Sequence, residues 1–232
     1  MQDQNHFRYT NVSDTTLHRN IGASTGRRAM PKRVTKRRPE TLGRLLDAAE
    51  EVFADRGFRG ASIEEICRQA GYTRGAFYSN FATREELFLA LFDRHAALAI
   101  RRVEELAAQA GDTLTVQAIA EMLAQVHPDE RTYFLVATEF SLHAMRDPAA
   151  AEVLSRRDEE VQVAVGHMVT RLLRRAGRTV HVPPQRLGRM IIAVREGARL
   201  QSFVDPAQLP PGDLERQMLG VLLSALSVVA TK

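Results

Sequence analysis

SIEEICRQAGYTRGAFYSNFATREEL, residues 62–87 of a 232-residue chain, decides the fold. It reads as two short helices joined by a tight turn, followed by the start of a third. Ser62 and Glu65 make a capping box, S-x-x-E, in which each residue satisfies the other's free backbone N–H. Ile63, Ile66, Cys67 and Ala70 then recur at helical spacing. Gly71 stops that helix, because glycine takes the left-handed stop conformation cheaply. Thr73 caps the next helix, which carries Arg74, Gly75, Ala76, Phe77 and Tyr78. Thr83 and Glu86 form a second capping box and open a longer helix.

A joint of a few residues allows the first two helices to cross at ~90–120°, the geometry of a helix-turn-helix. Cys67 is small where the second helix must pack close. Phe77 points back into the core, so Arg74 faces outward, and Arg74 and Tyr78, four apart, share that face. No acidic residue occurs between Ile66 and Thr83, whereas Arg68 and Arg74 do, with Arg84 just beyond. The carboxylates of Glu64, Glu65, Glu85 and Glu86 fall at helix N-termini, where negative charge is favoured. The exposed surface between them is therefore expected to be positive.

The stretch resembles the DNA-binding half of TetR-type (tetracycline-repressor-like) transcriptional regulators. The resemblance rests on Ile66-Cys67-x-x-Ala70-Gly71-Tyr72-Thr73-Arg74-Gly75-Ala76-Phe77-Tyr78-x-x-Phe81-x-x-Arg84-Glu85-Glu86-Leu87. It extends upstream through Leu45, Ala48-Ala49, Phe53 and Gly57-Phe58, and covers roughly residues 38–98. Cys67 stands where the family usually has Ala, Arg84 where it has Lys, and Asn80 where an aromatic residue or His is frequent. Asn80 bears on which operator is read.

The resemblance implies an all-α fold. Residues 38–98 would form a three-helix helix-turn-helix domain, joined by a long helix to a helical effector-binding and dimerisation domain over residues 99–232. It further implies a homodimer through the two C-terminal helices and a repressor relieved by a small-molecule effector. A two-fold dimer reads a palindromic operator of double-stranded DNA, with half-sites about 34–36 Å apart. Coupling between effector and operator is reciprocal, so operator DNA must weaken effector binding by the same factor.

Composition agrees with a helical globular chain: 44% hydrophobic, 26% charged, few aromatics and no Trp. A single cysteine excludes an intramolecular disulfide, and neither a metal-ligand pattern nor a cofactor motif is seen. The longest apolar run, residues 221–230, is interrupted by Ser224 and Ser227 and is too short to span a bilayer. With no apolar signal core at its start, the chain reads as cytoplasmic. Residues 1–39 carry nine Lys and Arg against two Asp, while the remaining 193 carry 23 basic and 26 acidic groups. Residues 1–37 thus read as a disordered basic arm. Lys32, Arg33, Lys36, Arg37 and Arg38 either touch DNA or form a solvated tail, and Met30 is an alternative start of translation.

Leu42, Leu45, Leu46, Ala49, Val52 and Phe53 place a first helix over about residues 40–56, ended by Gly57. The helix after Thr83 runs to about residue 108, long enough to link two halves. Further helices are expected over about residues 115–126, from Pro128 as a first-turn residue to 145, 147–176, 184–204 and 213–229, the last capped by Asp213. No strand pattern and no internal repeat is seen.

Ser62, Thr73, Arg74, Gly75, Tyr78, Ser79, Asn80 and Arg84 are the expected DNA contacts. Arg74 occupies the N-terminal end of the second helix and can clamp a guanine O6/N7 edge, worth ~1–3 kcal/mol of discrimination. Gly75 lets the backbone approach, Thr73 and Tyr78 suit phosphate, and Arg84 suits a phosphate at the next helix start. His95, Met122, Phe134, Phe140, His143 and Met168 are candidates for an apolar effector pocket. Glu139 and His143, four apart, make a weak metal pair without a third ligand, and Cys67 reads as a buried, inert thiol. An all-helical enzyme finds no phosphate-binding Gly loop, H-E-x-x-H or G-x-S-x-G. An architectural DNA binder would not need the long C-terminal domain.

Overall fold

In the computed structural model, which describes residues 37–111 and 114–230, the chain is a succession of helices closed by one small sheet. The basic-arm reading and the alternative start at Met30 lie outside the described residues, except that Arg37 already opens helix α1 (Arg37–Gly60). Within α1, Leu45, Ala49 and Phe53 are buried. The helix does not end at Gly57: the backbone kinks there, at φ 70°, and one more turn follows to Gly60. A left-handed φ costs glycine little, which is why the bend falls on this residue.

Helix α2 (Ile63–Ala70) carries the capping box as read, with Ser62 Oγ accepting from the Glu65 N–H and the Glu65 carboxylate accepting from Ser62. It stops in a Schellman motif. Gly71, at φ 72°, donates to the Arg68 carbonyl, and Tyr72 donates to the Cys67 carbonyl at 2.9 Å. Thr73 caps α3 (Arg74–Tyr78) through the Ala76 N–H. The second box is only half formed. Thr83 Oγ1 accepts from the Glu86 N–H, but the Glu86 carboxylate reaches past Thr83 to the Ala82 N–H, 2.6 Å away.

Helix α4 (Arg84–Gln109) leads from this head into α5 (Val116–Ala124), α6 (Glu130–Ala144), α7 (Pro148–Arg175), α8 (Pro184–Val204) and α9 (Asp213–Ala225). Asp147 caps α7 through the Ala149 and Ala150 N–H groups. Pro128 lies before the Asp129 cap of α6, not in its first turn. Helix α9 is entered through Gly212, at φ 90°, with Asp213 as its first residue. Helices α7 and α8 cross backbone to backbone. A Cβ on Gly166 would sit 1.7 Å from the Pro184 carbonyl oxygen, and one on Gly188 would sit 1.9 Å from that of Gln162.

Two expectations fail at the C-terminus. The last helix stops at Ala225, and Ser227–Val229 form a strand, β2. It pairs antiparallel with β1 (Arg178–Val180), in the register Arg178↔Val229 and Val180↔Ser227. Arg178 fastens the pair, its Nε donating to Ser227 Oγ at 2.8 Å. Three-residue strands are too short to show alternation, and only the partner across the fold makes them strands.

The described residues form two apolar cores. The head core joins α1, α2, α3 and α4 around Phe53, Phe58, Phe77 and Phe88; it also takes in Val136 and Phe140 of α6. The second core unites α4, α5, α7, α8 and α9 around Ile119, Leu123, Val169 and Leu223. The head is therefore held to the rest by α6 packed on α1 as well as by the run of α4.

Candidate nucleic-acid interface

Phe77 is fully buried and pins α3 against α2. That orientation leaves Thr73, Arg74, Gly75, Tyr78 and Ser79 exposed on one surface, with Asn80 half-buried at its edge. Arg74 is braced from two sides. One terminal nitrogen lies 2.6 Å from Glu64 Oε1, and the other donates to the Tyr78 hydroxyl at 3.4 Å. Its Cζ sits 5.8 Å from the centre of the Tyr78 ring. Behind this surface Cys67 is buried, which pushes its thiol above the usual range and keeps it unreactive.

Three of the expected contacts are occupied within the fold. Ser62 Oγ is held by its capping partner Glu65. Asn80 Nδ2 donates to the Ala76 carbonyl at 2.8 Å and to Ser79 Oγ at 3.2 Å, closing the C-terminal end of α3. Arg84 does not hold its guanidinium out towards solvent. It lies 4.5 Å over the Phe58 ring and donates to the Ala61 carbonyl at 2.7 Å, tying α4 to the end of α1. The unbroken positive surface expected between the capping carboxylates is also interrupted: Glu64, read as serving its own helix, reaches Arg74 instead.

The six effector candidates do not line one pocket. Phe140 is stacked on Phe88 at 4.0 Å and set edge-on to Phe58 at 4.8 Å, inside the head core. His143 packs 5.7 Å from Phe58 on the same side. His95 is buried, stacked on Tyr133 at 4.0 Å, with Nε2 3.0 Å from Glu50 Oε1 but off the line of a hydrogen bond. Burial pushes the Glu50 carboxyl up; His95 and Arg94 outweigh it and hold the carboxyl below its ordinary range. Met122 and Met168 belong to the second core, where Met168 also floors a shallow groove of about 530 Å³ with Glu104 and Arg171. Phe134 sits edge-on to Phe203, with ring centres 5.4 Å apart. The six come from four helices, and Phe134 and Phe140, six residues apart on α6, point to different sides of that helix.

Glu139 and His143 do not form a pair either. Glu139 accepts from the Phe58 backbone N–H, and His143 Nε2 lies 4.0 Å from Asp147. Among the described residues no group of three His, Cys, Asp or Glu is placed to hold a metal, and no helix is long and apolar enough to cross a membrane.

Of the charged groupings that escaped the sequence, two bear on function. One is the Glu64–Arg74 pair, joined across the turn. The other is a buried network at the start of α6, where Glu130 meets Arg199 and lies 3.9 Å from both Arg102 and Arg195. Glu215 of α9, 1% exposed, lies 4.0 Å from Arg199 Nε. Burial, and then the neighbouring Arg199, lower the Arg195 guanidinium to about 10. Acid and base of this network come from helices far apart in the chain, so no local spacing announces them.

The family model described as bacterial regulatory proteins, tetR family, matches residues 45–91, and one described as BetI-type transcriptional repressor, C-terminal, matches residues 112–226. The HTH-type transcriptional regulator CymR of Pseudomonas putida is 31% identical over 141 residues, 60% of this chain and 68% of CymR. This chain belongs to the tetR family. The HTH-type transcriptional activator FasR of Mycolicibacterium smegmatis is 45% identical over 58 residues, 25% of this chain and 26% of FasR. The HTH-type transcriptional repressor AcnR of Corynebacterium diphtheriae is 31% identical over 105 residues, 45% of this chain and 50% of AcnR. The chain thus spans half or less of the length of these two relatives. Among solved tetR-like folds, a regulator from Saccharomonospora viridis in complex with choline aligns with a TM-score of 0.59 at 18% identity, over 82% of this chain and 98% of that one. The multidrug binding protein EbrR, complexed with ethidium, aligns at 0.56 and 22% identity, over 79% and 98%.

Proposed function

We propose that this tetR-family member is a sequence-specific, dimeric DNA-binding repressor of a palindromic operator, released by a small-molecule effector. The observation that carries this reading is the presentation of α3: Phe77 buried beneath it, Tyr78 outward at its last residue and Arg74 outward at its N-terminal end. In a helix-turn-helix that end reaches base edges in the major groove. Thr73, Gly75, Ser79 and Asn80 complete the contact surface, Ser62 and Arg84 border it, and the head domain is taken as residues 38–98.

Dimerisation through α8 and α9 is supported by apolar side chains left in solvent there. Leu200 is 52% exposed, Met218 46% and Val221 67%. A row of exposed apolar residues on adjoining helices is the mark of an interface. An effector is proposed for the domain over residues 99–232 because like folds were solved with choline and ethidium. Its signal would reach the head along α6 as well as α4, since α6 has one end in the buried Glu130 network and the other in the head core.

Fluorescence anisotropy on labelled DNA from the gene's own upstream region, against scrambled DNA in a salt series, tests the reading. A specific repressor prefers the upstream DNA at every salt concentration. Equal binding to both sequences favours an architectural role, and binding to neither at low salt removes the DNA-binding reading.

A further inference from the structure

Arg74 is not presented to DNA alone. Its side chain and that of Glu64 are 59% and 57% exposed, yet they meet at 2.6 Å, first turn of α3 against first turn of α2. The Tyr78 hydroxyl takes the other arm of the same guanidinium, so the fork is fixed at both tips. An exposed ion pair adds little to stability, and stability does not account for it. The position is also unfavourable for mere phosphate attraction. It sets a carboxylate against the one surface meant for a polyanion, where each uncompensated negative charge weakens sequence-independent binding.

We propose that Glu64 is a positioning residue for base readout, holding the Arg74 guanidinium in the orientation that forks onto a guanine edge while its own charge disfavours non-specific DNA. The inference rests on α3 being the base-reading helix. A long, free arginine must be ordered each time it binds, whereas one already held loses less freedom on docking. Ordering Arg74 improves binding where a guanine meets it. The Glu64 charge weakens binding everywhere. Together they raise the ratio of specific to non-specific affinity, which is what a regulator needs against an excess of competing sites.

The test is selection from randomised duplex DNA by the full chain and by its Glu64→Ala, Glu64→Gln, Arg74→Ala and double Glu64→Ala/Arg74→Ala variants. Anisotropy on the enriched site and its single-base variants follows. Glu64→Ala is expected to lose about tenfold in discrimination at the same base pair that Arg74→Ala relaxes, within the range of one bidentate contact, while binding scrambled DNA at least as tightly as wild type. Glu64→Gln, which keeps an acceptor of the same length, recovers part of the discrimination. The double variant is no worse than Arg74→Ala, as a residue acting through another requires. Thermal midpoints stay level across the Glu64 variants. Unchanged discrimination in Glu64→Ala, or losses that multiply in the double variant, overturns the positioning role while leaving α3 as the reading helix. If wild type enriches no site, the reading of α3 falls and the inference falls with it.

Discussion

The Glu139 carboxylate, on α6, accepts a 2.6 Å hydrogen bond from the backbone N–H of Phe58, in the last turn of α1. A Cβ on Gly57 would come within 2.5 Å of the same carboxylate. The kink at Gly57 is thus what frees the Phe58 N–H for α6, and Phe140 fills the space beside it by stacking on Phe88. Head and C-terminal helices are joined at a packed, hydrogen-bonded seam.

Glu139→Ala leaves that N–H without its partner and is expected to cost about 1–3 kcal/mol in chemical denaturation. Glu139→Gln keeps an acceptor and should cost much less. Equal losses in the two variants would assign the effect to charge instead of the hydrogen bond.

The crossing of α7 and α8 depends on the absence of two side chains. Gly166→Ala drives a methyl group into the Pro184 carbonyl and is expected to destabilise by about 3 kcal/mol, the upper part of the range for overpacking. Gly43, in α1, has nothing within 4 Å of its Cβ position. Gly43→Ala should therefore stabilise by roughly 0.5–1 kcal/mol through helix propensity alone. Equal behaviour of the two variants would contradict the crossing.

Burial raises the Asp158 carboxyl from 3.8 to about 6, with Arg189 working the other way. The folded state therefore holds this proton more tightly than the unfolded chain does. Its ionised form costs stability above pH 6, and that cost disappears as the pH falls towards 4. Asp158→Asn should stabilise the protein at pH 8 by roughly 1 kcal/mol, after allowance for solvent screening. At pH 4 it should be neutral. A gain that does not change with pH would rule out the titration as its source.

In the buried network the two partners of Arg199 are unequal. Arg199 meets Glu130 closely, while Glu215 Oε1 lies 4.0 Å from Arg199 Nε. Arg199→Met removes the cation that approaches both Glu130 and Glu215, leaving Glu130 only the 3.9 Å approaches of Arg102 and Arg195, and is expected to cost about 3 kcal/mol. Glu215→Gln removes a charge that was poorly compensated and should be close to neutral. A large loss from Glu215→Gln would show that the 4.0 Å approach to Arg199 is a strong pair after all.

Where local chemistry sets a boundary, the chain could be read. Ser62, Gly71, Thr73 and the Asp147–Pro148 pair each fix one helix end through bonds to the next few residues, and each stands where it was expected. What was illegible depends on distant partners. Ser227–Val229 extends an apolar helical pattern and becomes a strand only because Arg178–Val180 lies beside it. Phe140 has the look of a pocket residue in its own helix, yet it completes the aromatic core of the head. Arg84 sits at a helix start that favours an anion, but Phe58 and the Ala61 carbonyl claim it first.

The most direct measurement compares wild type with Arg74→Ala on the enriched operator and on scrambled DNA, at matched salt. Removal of one bidentate base contact is expected to lower operator affinity by about 1–3 kcal/mol and to collapse the preference for the operator, with a smaller change on scrambled DNA. An equal loss on both sequences would mean that Arg74 meets only phosphate, and that base readout lies elsewhere than in α3.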